Sequence, residues 1–187
     1  MTTMQIIGNI IGFVAVALLI ISYQFNSKNK VIFFYATSTT LYIFQYFFLG
    51  AFEGVYTEIF AVLISIVAGY QTKEFIKKHK KLIIFMLYVL FFVGGLIVIF
   101  TTKEITLINV AFGIVPIIAN TAQTSAFWMK NEKIMRIVSL AGAPLWLIYN
   151  VFTLSIFPAV GNIFMICSII ISIIRYDVKK ESKKIDE

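Results

Sequence analysis

Residues 82–100 read LIIFMLYVLFFVGGLIVIF, with Tyr88 the only polar side chain and no charge. As a helix this run is about 28 Å long, the depth of a bilayer's hydrocarbon core. No water there can satisfy an exposed N–H or C=O, so a lone segment must bond its backbone internally, as a helix does. Lipid is therefore the solvent against which the rest of the chain is read. With polarity all but missing, this stretch predicts a helix that faces acyl chains over much of its surface.

Hydropathy on either side adds six spans, giving 4–24, 31–49, 55–71, 82–100, 106–128, 135–152 and 156–174. The 187 residues are 60% hydrophobic and 13% charged, with mean hydropathy +0.92. The expected fold is all-α: a polytopic membrane protein with seven transmembrane helices and connections too short for a soluble domain. The opening MTTMQIIGNIIGFVAVALLIISYQ has neither a positive leader nor an evident cleavage site and reads as a retained helix. Cys167 is alone in an apolar run, so no disulfide framework is expected. His79 is alone in a basic connection and reads as solvated rather than metal-bound. No metal or cofactor is expected, and no phosphate-binding loop points to ATP.

Charge sorts the connections. Lys28 and Lys30 follow the first span, and Lys73, Lys77, Lys78, Lys80 and Lys81 occupy the loop before the fourth. Lys130, Lys133 and Arg136 follow the fifth, and Arg175, Lys179, Lys180, Lys183 and Lys184 form the tail. All but Lys103 of the 16 basic residues thus fall on one side. The positive-inside rule places the N-terminus outside and the C-terminus in the cytoplasm. The net charge of +7 is then matched to anionic headgroups on the cytoplasmic face. Nucleic acid is a poor partner for cations split over four short segments without interleaved aromatics.

The chain carries signs of a duplication. Phe25, Lys28 and Asn29 recur 102 residues on as Phe127, Lys130 and Asn131, and Glu58-Ile59-Phe60 recurs 104 on as Asn162-Ile163-Phe164. The second offset also pairs Tyr42 with Trp146, Gln45 with Tyr149 and Tyr46 with Asn150. Spans one and five share a predicted direction, so the copies are parallel, and the span over 82–100 is the linker that keeps them so. The expected layout is 3+1+3: a first repeat over 1–72, a basic loop and linker over 73–105, a second repeat over 106–175 and a basic tail over 176–187.

Residues at i, i+3, i+4 and i+7 share a helix face. Tyr35, Ser38, Thr39, Tyr42, Gln45 and Tyr46 follow that spacing in the second span. Ser139, Gly142, Ala143, Trp146, Tyr149 and Asn150 do so in the sixth, and Asn109, Gly113, Pro116, Asn120, Gln123 and Thr124 in the fifth. Glu58, Ser65 and Gly69 mark the third, and Asn162 and Ser172 the seventh. The small residues among them read as interhelical glue. Tyr23, Tyr56, Tyr70 and Trp128, near span ends, suit the membrane interface. For Trp146 and Tyr149, pocket lining and packing both fit. Glu58 is the one obvious intramembrane carboxylate, a functional-site candidate by default. Within a turn of its predicted helix start, it also suits the positive end of the helix dipole, in reach of headgroups. Pro116 fits a hinge and a static bend equally.

The chain resembles the bacterial inner-membrane YgjV-like family through ISYQFNSKNK at 21–30, YIFQYFFLGAFEG at 42–54 and PLWLIYNVF at 144–152. More remotely its layout is similar to the SWEET and SemiSWEET (PQ-loop, MtN3-like) and PnuC transporters. In SWEET units a Trp on the second helix and an Asn on the third line the pocket. That resemblance implies such roles for Trp146 and Asn162, with Tyr42 and Glu58 in the first half; both pairs are 16 residues apart. The Pro-Gln pair of that family is missing: Tyr23-Gln24 stands near its place, and Pro116 is alone in the fifth span.

The expectation is a transporter or facilitator for a small polar solute, working by alternating access, with no enzyme activity. Tyr42, Gln45, Asn120, Trp146, Tyr149, Asn150 and Asn162 are expected to bind the solute, Glu58 to supply charge or a proton, and Pro116 to be a hinge. A non-transporting receptor on the same scaffold is the alternative, and homo-oligomerisation is left open. An embedded enzyme is disfavoured by the lack of a metal cluster or nucleophile–base pair.

Overall fold

A computed structural model describes residues 2–102 and 104–178. Lys103, Lys179, Lys180, Lys183 and Lys184, and with them the tail beyond residue 178, lie outside the described residues. The chain forms seven helices: α1 Thr3–Ser22, α2 Lys28–Leu49, α3 Phe52–Gly69, α4 Glu74–Thr102, α5 Leu107–Ala126, α6 Glu132–Phe152 and α7 Ile156–Ile173. There is no strand among the described residues. All seven are long and apolar enough to cross a membrane, α7 counted with the wider turn Ile174–Val178 that extends it.

Local chemistry sets the ends. Thr2 and Gln5 form a reciprocal capping box on α1, and Thr106 and Asn131 accept from backbone N–H groups opening α5 and α6. The α2–α3 turn closes on Gly50 at φ 72°, with the Ala51 N–H donating to Tyr46 O at 3.0 Å. The α6–α7 turn repeats that geometry: Leu154 takes φ 56° and the Ser155 N–H donates to Asn150 O at 2.8 Å. A β-carbon in that left-handed region costs about 1–2 kcal/mol.

Two starts differ from expectation. The loop expected over 72–81 is largely helical: α4 begins at Glu74 and bends at His79, where φ −104° and ψ 16° break the helix. His79 packs on Phe75, half-buried. Arg136 is no loop cation. It lies inside α6, 1% exposed, with Nη1 donating to both Asp177 carboxylate oxygens at 2.9 and 3.0 Å and Nη2 to Asn26 Oδ1. Tyr176, stacked on that guanidinium, donates its OH to Gln24 O.

Packing follows the polar stripes. Side by side, α1 meets α2, α2 meets α3, α3 meets α5, α5 meets α6, α6 meets α7, and α7 returns to α1. The result is a closed ring of six helices, with α4 outside in the groove between α3 and α5. There α4 buries Phe91 and Ile99 around Ile117, and Tyr88 bonds Thr124 at 3.0 Å. Its other face is exposed, as a lipid-facing helix requires: Phe85, Val93 and Ile97 are bare. Phe33, Phe44 and Phe47 on α2 and Ile137, Ile148 and Val151 on α6 also point outward, while the polar faces of both turn in.

Small residues set the closest approaches. A β-carbon on Gly161 of α7 would stand 2.2 Å from Val16 Cγ1 of α1, and one on Gly142 of α6 would stand 2.7 Å from the Ala119 carbonyl of α5. Overpacking of this kind costs about 1–3 kcal/mol. Gly161→Ala therefore lowers the detergent melting temperature, and adding Val16→Ala recovers part of the loss, since the β-carbon of residue 16 still stands 2.8 Å away. Gly142→Ala, which meets backbone, has no such partner substitution. A neutral Gly161→Ala, or a double variant no better than the single, would refute this packing of α7 on α1.

Candidate functional site

Side chains from all six ring helices meet around one buried space. Leu19 comes from α1, Tyr35, Thr39, Tyr42 and Tyr46 from α2, and Glu58 from α3. Gln123 of α5, Trp146 and Asn150 of α6, and Asn162 and Met165 of α7 complete the wall. Its volume is about 20 Å³, room for about one water molecule. The helical period explains the convergence on α2, where Tyr35, Thr39, Tyr42 and Tyr46 occupy one stripe.

Hydrogen bonds fix most of that wall. The Tyr35 OH donates to Asn120 Oδ1 at 3.1 Å and to Gln123 Oε1 at 3.4 Å, and Trp146 Nε1 donates to the same Gln123 oxygen at 3.1 Å. The Tyr46 OH donates to Asn150 Oδ1 at 2.8 Å. Tyr46 also lies between Tyr42 and Trp146, stacked on each with centroids 6.0 Å apart. Two amide donors in the wall, Asn162 Nδ2 and Gln123 Nε2, are buried without a hydrogen-bond acceptor among the described residues.

Glu58 sits deeper than its expected helix start allowed. Because α3 begins at Phe52, Glu58 lies nearly two turns in and is 4% exposed; it does not reach headgroups. No described donor hydrogen-bonds its carboxyl, and no Lys, Arg or His lines the cavity. Sequence reasoning also missed Glu53, placed in a connection but buried in the first turn of α3, beside Tyr149. Acidic residues favour that turn, and its signal is the GAFEG run that closes α2 and opens α3.

Of the expected solute-binding residues, Tyr42, Glu58, Trp146, Asn150 and Asn162 are brought together. Three others are buried but do not line the cavity. Gln45 turns to α1, its amide filling the space left by Gly12. Asn120 ties three helices, accepting from Tyr35 and donating Nδ2 to Thr57 O at 2.6 Å. Tyr149 packs edge-on against Tyr46 and Trp146 from behind, over Gly54. Pro116 is buried within α5, which runs through it unbroken. Tyr23 and Trp128, expected at the membrane interface, are buried. Gln123, Tyr35 and Thr39 were visible on the stripes, but nothing in the spacing separates a wall residue from its packing neighbours.

A second cluster gathers at the opposite end from Glu58's helix start. Lys28 donates to Met129 O, Lys80 to Trp128 O at 3.1 Å and Gln71 to Phe127 O at 3.0 Å. These groups answer carbonyls at and just past the C-terminus of α5. Beside them Lys28, Lys77, Lys80 and Lys130 line an open cleft of about 510 Å³.

A family model described as Imp-YgjV, bacterial inner membrane protein, matches residues 6–180. No curated protein and no solved structure matches the chain.

The Gln123 oxygen serves two donors, so Gln123→Leu leaves the Trp146 indole N–H buried without an acceptor. The expected cost is about 1–2 kcal/mol, read as a lower melting temperature. In a Trp128→Phe background, which leaves Trp146 the sole tryptophan, its emission shifts to shorter wavelength. An unchanged spectrum would show that the indole is held some other way.

Proposed function

The chain belongs to the Imp-YgjV family of bacterial inner membrane proteins, and from that premise we propose that it carries a small polar solute across the membrane by alternating access. The observation that bears most weight is the buried cavity, walled by corresponding positions of two helix triplets. The helices α5, α6 and α7 start at 107, 132 and 156, each 104 residues after α1, α2 and α3 start at 3, 28 and 52. The cavity takes Leu19 and Gln123, Tyr42 and Trp146, Tyr46 and Asn150, and Glu58 and Asn162, four pairs at that same offset. One pair touches, through the Tyr46–Asn150 hydrogen bond. Equivalent residues meet face to face only near a symmetry axis.

These facts support two parallel three-helix repeats joined by α4, the 3+1+3 layout. In carriers built this way the solute sits at the repeat interface and the halves rock about it. A cavity of water size is then the occluded state, and entry requires the triplets to part. Pro116 in α5 and Pro144 in α6 each remove one helical hydrogen bond, so bending at these points is cheap. The remote likeness to SWEET and PnuC transporters is part of this reading and rests on positions 42, 58, 146 and 162. The same reading makes the protein a carrier and not an enzyme.

We place the N-terminus outside and the lysine-rich end in the cytoplasm, where the cleft at Lys28, Lys77, Lys80 and Lys130 faces anionic headgroups. In a Cys167→Ser background, a cysteine at Thr72 is shielded from an impermeant thiol reagent in intact spheroplasts, whereas one at Ile105 reacts. The reverse pattern overturns the orientation.

Flux is tested in proteoliposomes with labelled sugars, nucleosides, vitamins and organic cations. Asn162→Phe overfills a cavity of this size and abolishes uptake, while a tryptophan at lipid-facing Ile163 leaves uptake unchanged. Saturable solute binding without uptake of any bound solute would leave a receptor on this scaffold and end the carrier reading.

A further inference from the structure

We propose that the solute is a small organic cation: an ammonium group seated on Glu58 against the Tyr42–Tyr46–Trp146 stack, with a hydroxyl or carbonyl answering the amides of Asn162 and Gln123. This rests on the central cavity being a binding site, and deepens that reading by naming the substrate class.

The argument is one of unmet needs. Glu58 is the only acidic group in the wall, and among the described residues it has neither a hydrogen-bond donor nor a cation against it. A carboxylate in a dry site is costly unless paired or protonated, and a bound cation supplies the pairing. The chain's own candidate is committed elsewhere, since Arg136 is held by Asp177. An anionic solute would meet that carboxylate with like charge.

The rest of the wall discriminates further. Asn150 Oδ1 and Gln123 Oε1 already accept hydrogen bonds, which leaves the Glu58 carboxyl as the charged acceptor of the wall. Aromatic rings attract ammonium groups through their π faces, and four lie in the wall, Tyr35 and the stacked Tyr42, Tyr46 and Trp146. A sugar presents many hydroxyls that each need a partner, whereas Tyr35 OH, Tyr46 OH, Gln123 Oε1 and Asn150 Oδ1 are already committed, and the donors left over include Asn162 Nδ2 and Gln123 Nε2. One cationic head and one nearby acceptor is the complement of that set.

The test is isothermal titration and thermal shift of the purified protein with ethanolammonium and choline. Each is compared with a neutral analogue: ethylene glycol, and the choline isostere with carbon in place of nitrogen. The cations bind and raise the melting temperature, and the neutral analogues do not. Glu58→Gln keeps size and shape but weakens cation binding by roughly 30-fold or more, the loss expected when one member of a buried charge pair is removed. Trp146→Leu weakens it less, and Tyr46→Phe, which keeps its ring, least. Glu58→Asp keeps the charge and part of the affinity, which separates loss of charge from misfolding. Neutral analogues binding as well as the cations, cations that fail to bind, or wild-type affinity in Glu58→Gln each overturn the proposal. The two readings fail separately. Uptake of a neutral solute that neither cation competes away refutes the substrate class and leaves the carrier standing. Cation binding that depends on Glu58, with no flux, refutes the carrier and leaves the cation site.

Discussion

Hydrocarbon has no hydrogen bonds to offer, and nearly every feature of this bundle follows from that. A soluble helix can leave an asparagine or tyrosine in water. Here each must turn inward and find protein. Tyr35, Asn120 and Thr57 solve the problem across α2, α5 and α3, and Tyr46 and Asn150 solve it across α2 and α6. Interhelical bonds of this kind are worth about 0.6–2 kcal/mol each, so they fix which faces meet more than they drive association. Close packing at Gly142 and Gly161 supplies the rest, since lipid gives no hydrophobic reason for helices to associate.

Much of this was legible because it depends on composition and period. Seven spans, the lipid-facing character of 82–100 and the inward stripes on α2 and α6 all follow from hydropathy and the 3.6-residue repeat. The 104-residue offset was readable from Tyr42 and Trp146 and from Glu58 and Asn162, and helix starts in the structure fall at the same spacing. What could not be read depends on partners distant in sequence. Arg136 looks like a loop cation until Asp177 and Asn26 are brought to it. Gln45 shares a stripe with Tyr42 but is rotated enough to meet Gly12. Glu58 seemed near a helix end because hydropathy leaves Glu53 and Gly54 in a connection and starts the span at 55, although α3 already begins at Phe52.

Three of the anticipated wall residues, Gln45, Asn120 and Tyr149, support the wall without lining it. The distinction has physical content. Asn120 has both ends of its amide engaged by protein, and Tyr149 is enclosed by Gly54, Tyr46 and Trp146. Groups so committed hold geometry and have little left for a solute. Glu58, Asn162 Nδ2 and Gln123 Nε2 are the reverse: they face or border the cavity and remain unspent. Uncommitted polarity inside a membrane protein is expensive, and part of it borders the cavity.

The small volume of that place bears on how a carrier of this design can work. Space for one water cannot hold choline, so the proposed carrier would admit a solute only once α1–α3 and α5–α7 separate. Separation breaks contacts at two seams, α7 on α1 and α3 on α5, while α4 spans the second and can keep it registered. A solute's affinity is then its intrinsic affinity reduced by the fraction of molecules already open. In the proposed carrier, tight closure without solute would prevent leakage, and a solute that supplies the missing charge to Glu58 would return the free energy that opening consumed. On the carrier and cation proposals together, the unpaired carboxylate would couple closure to occupancy: empty, the site has the size of a water, and a cation would make a larger occluded state favourable.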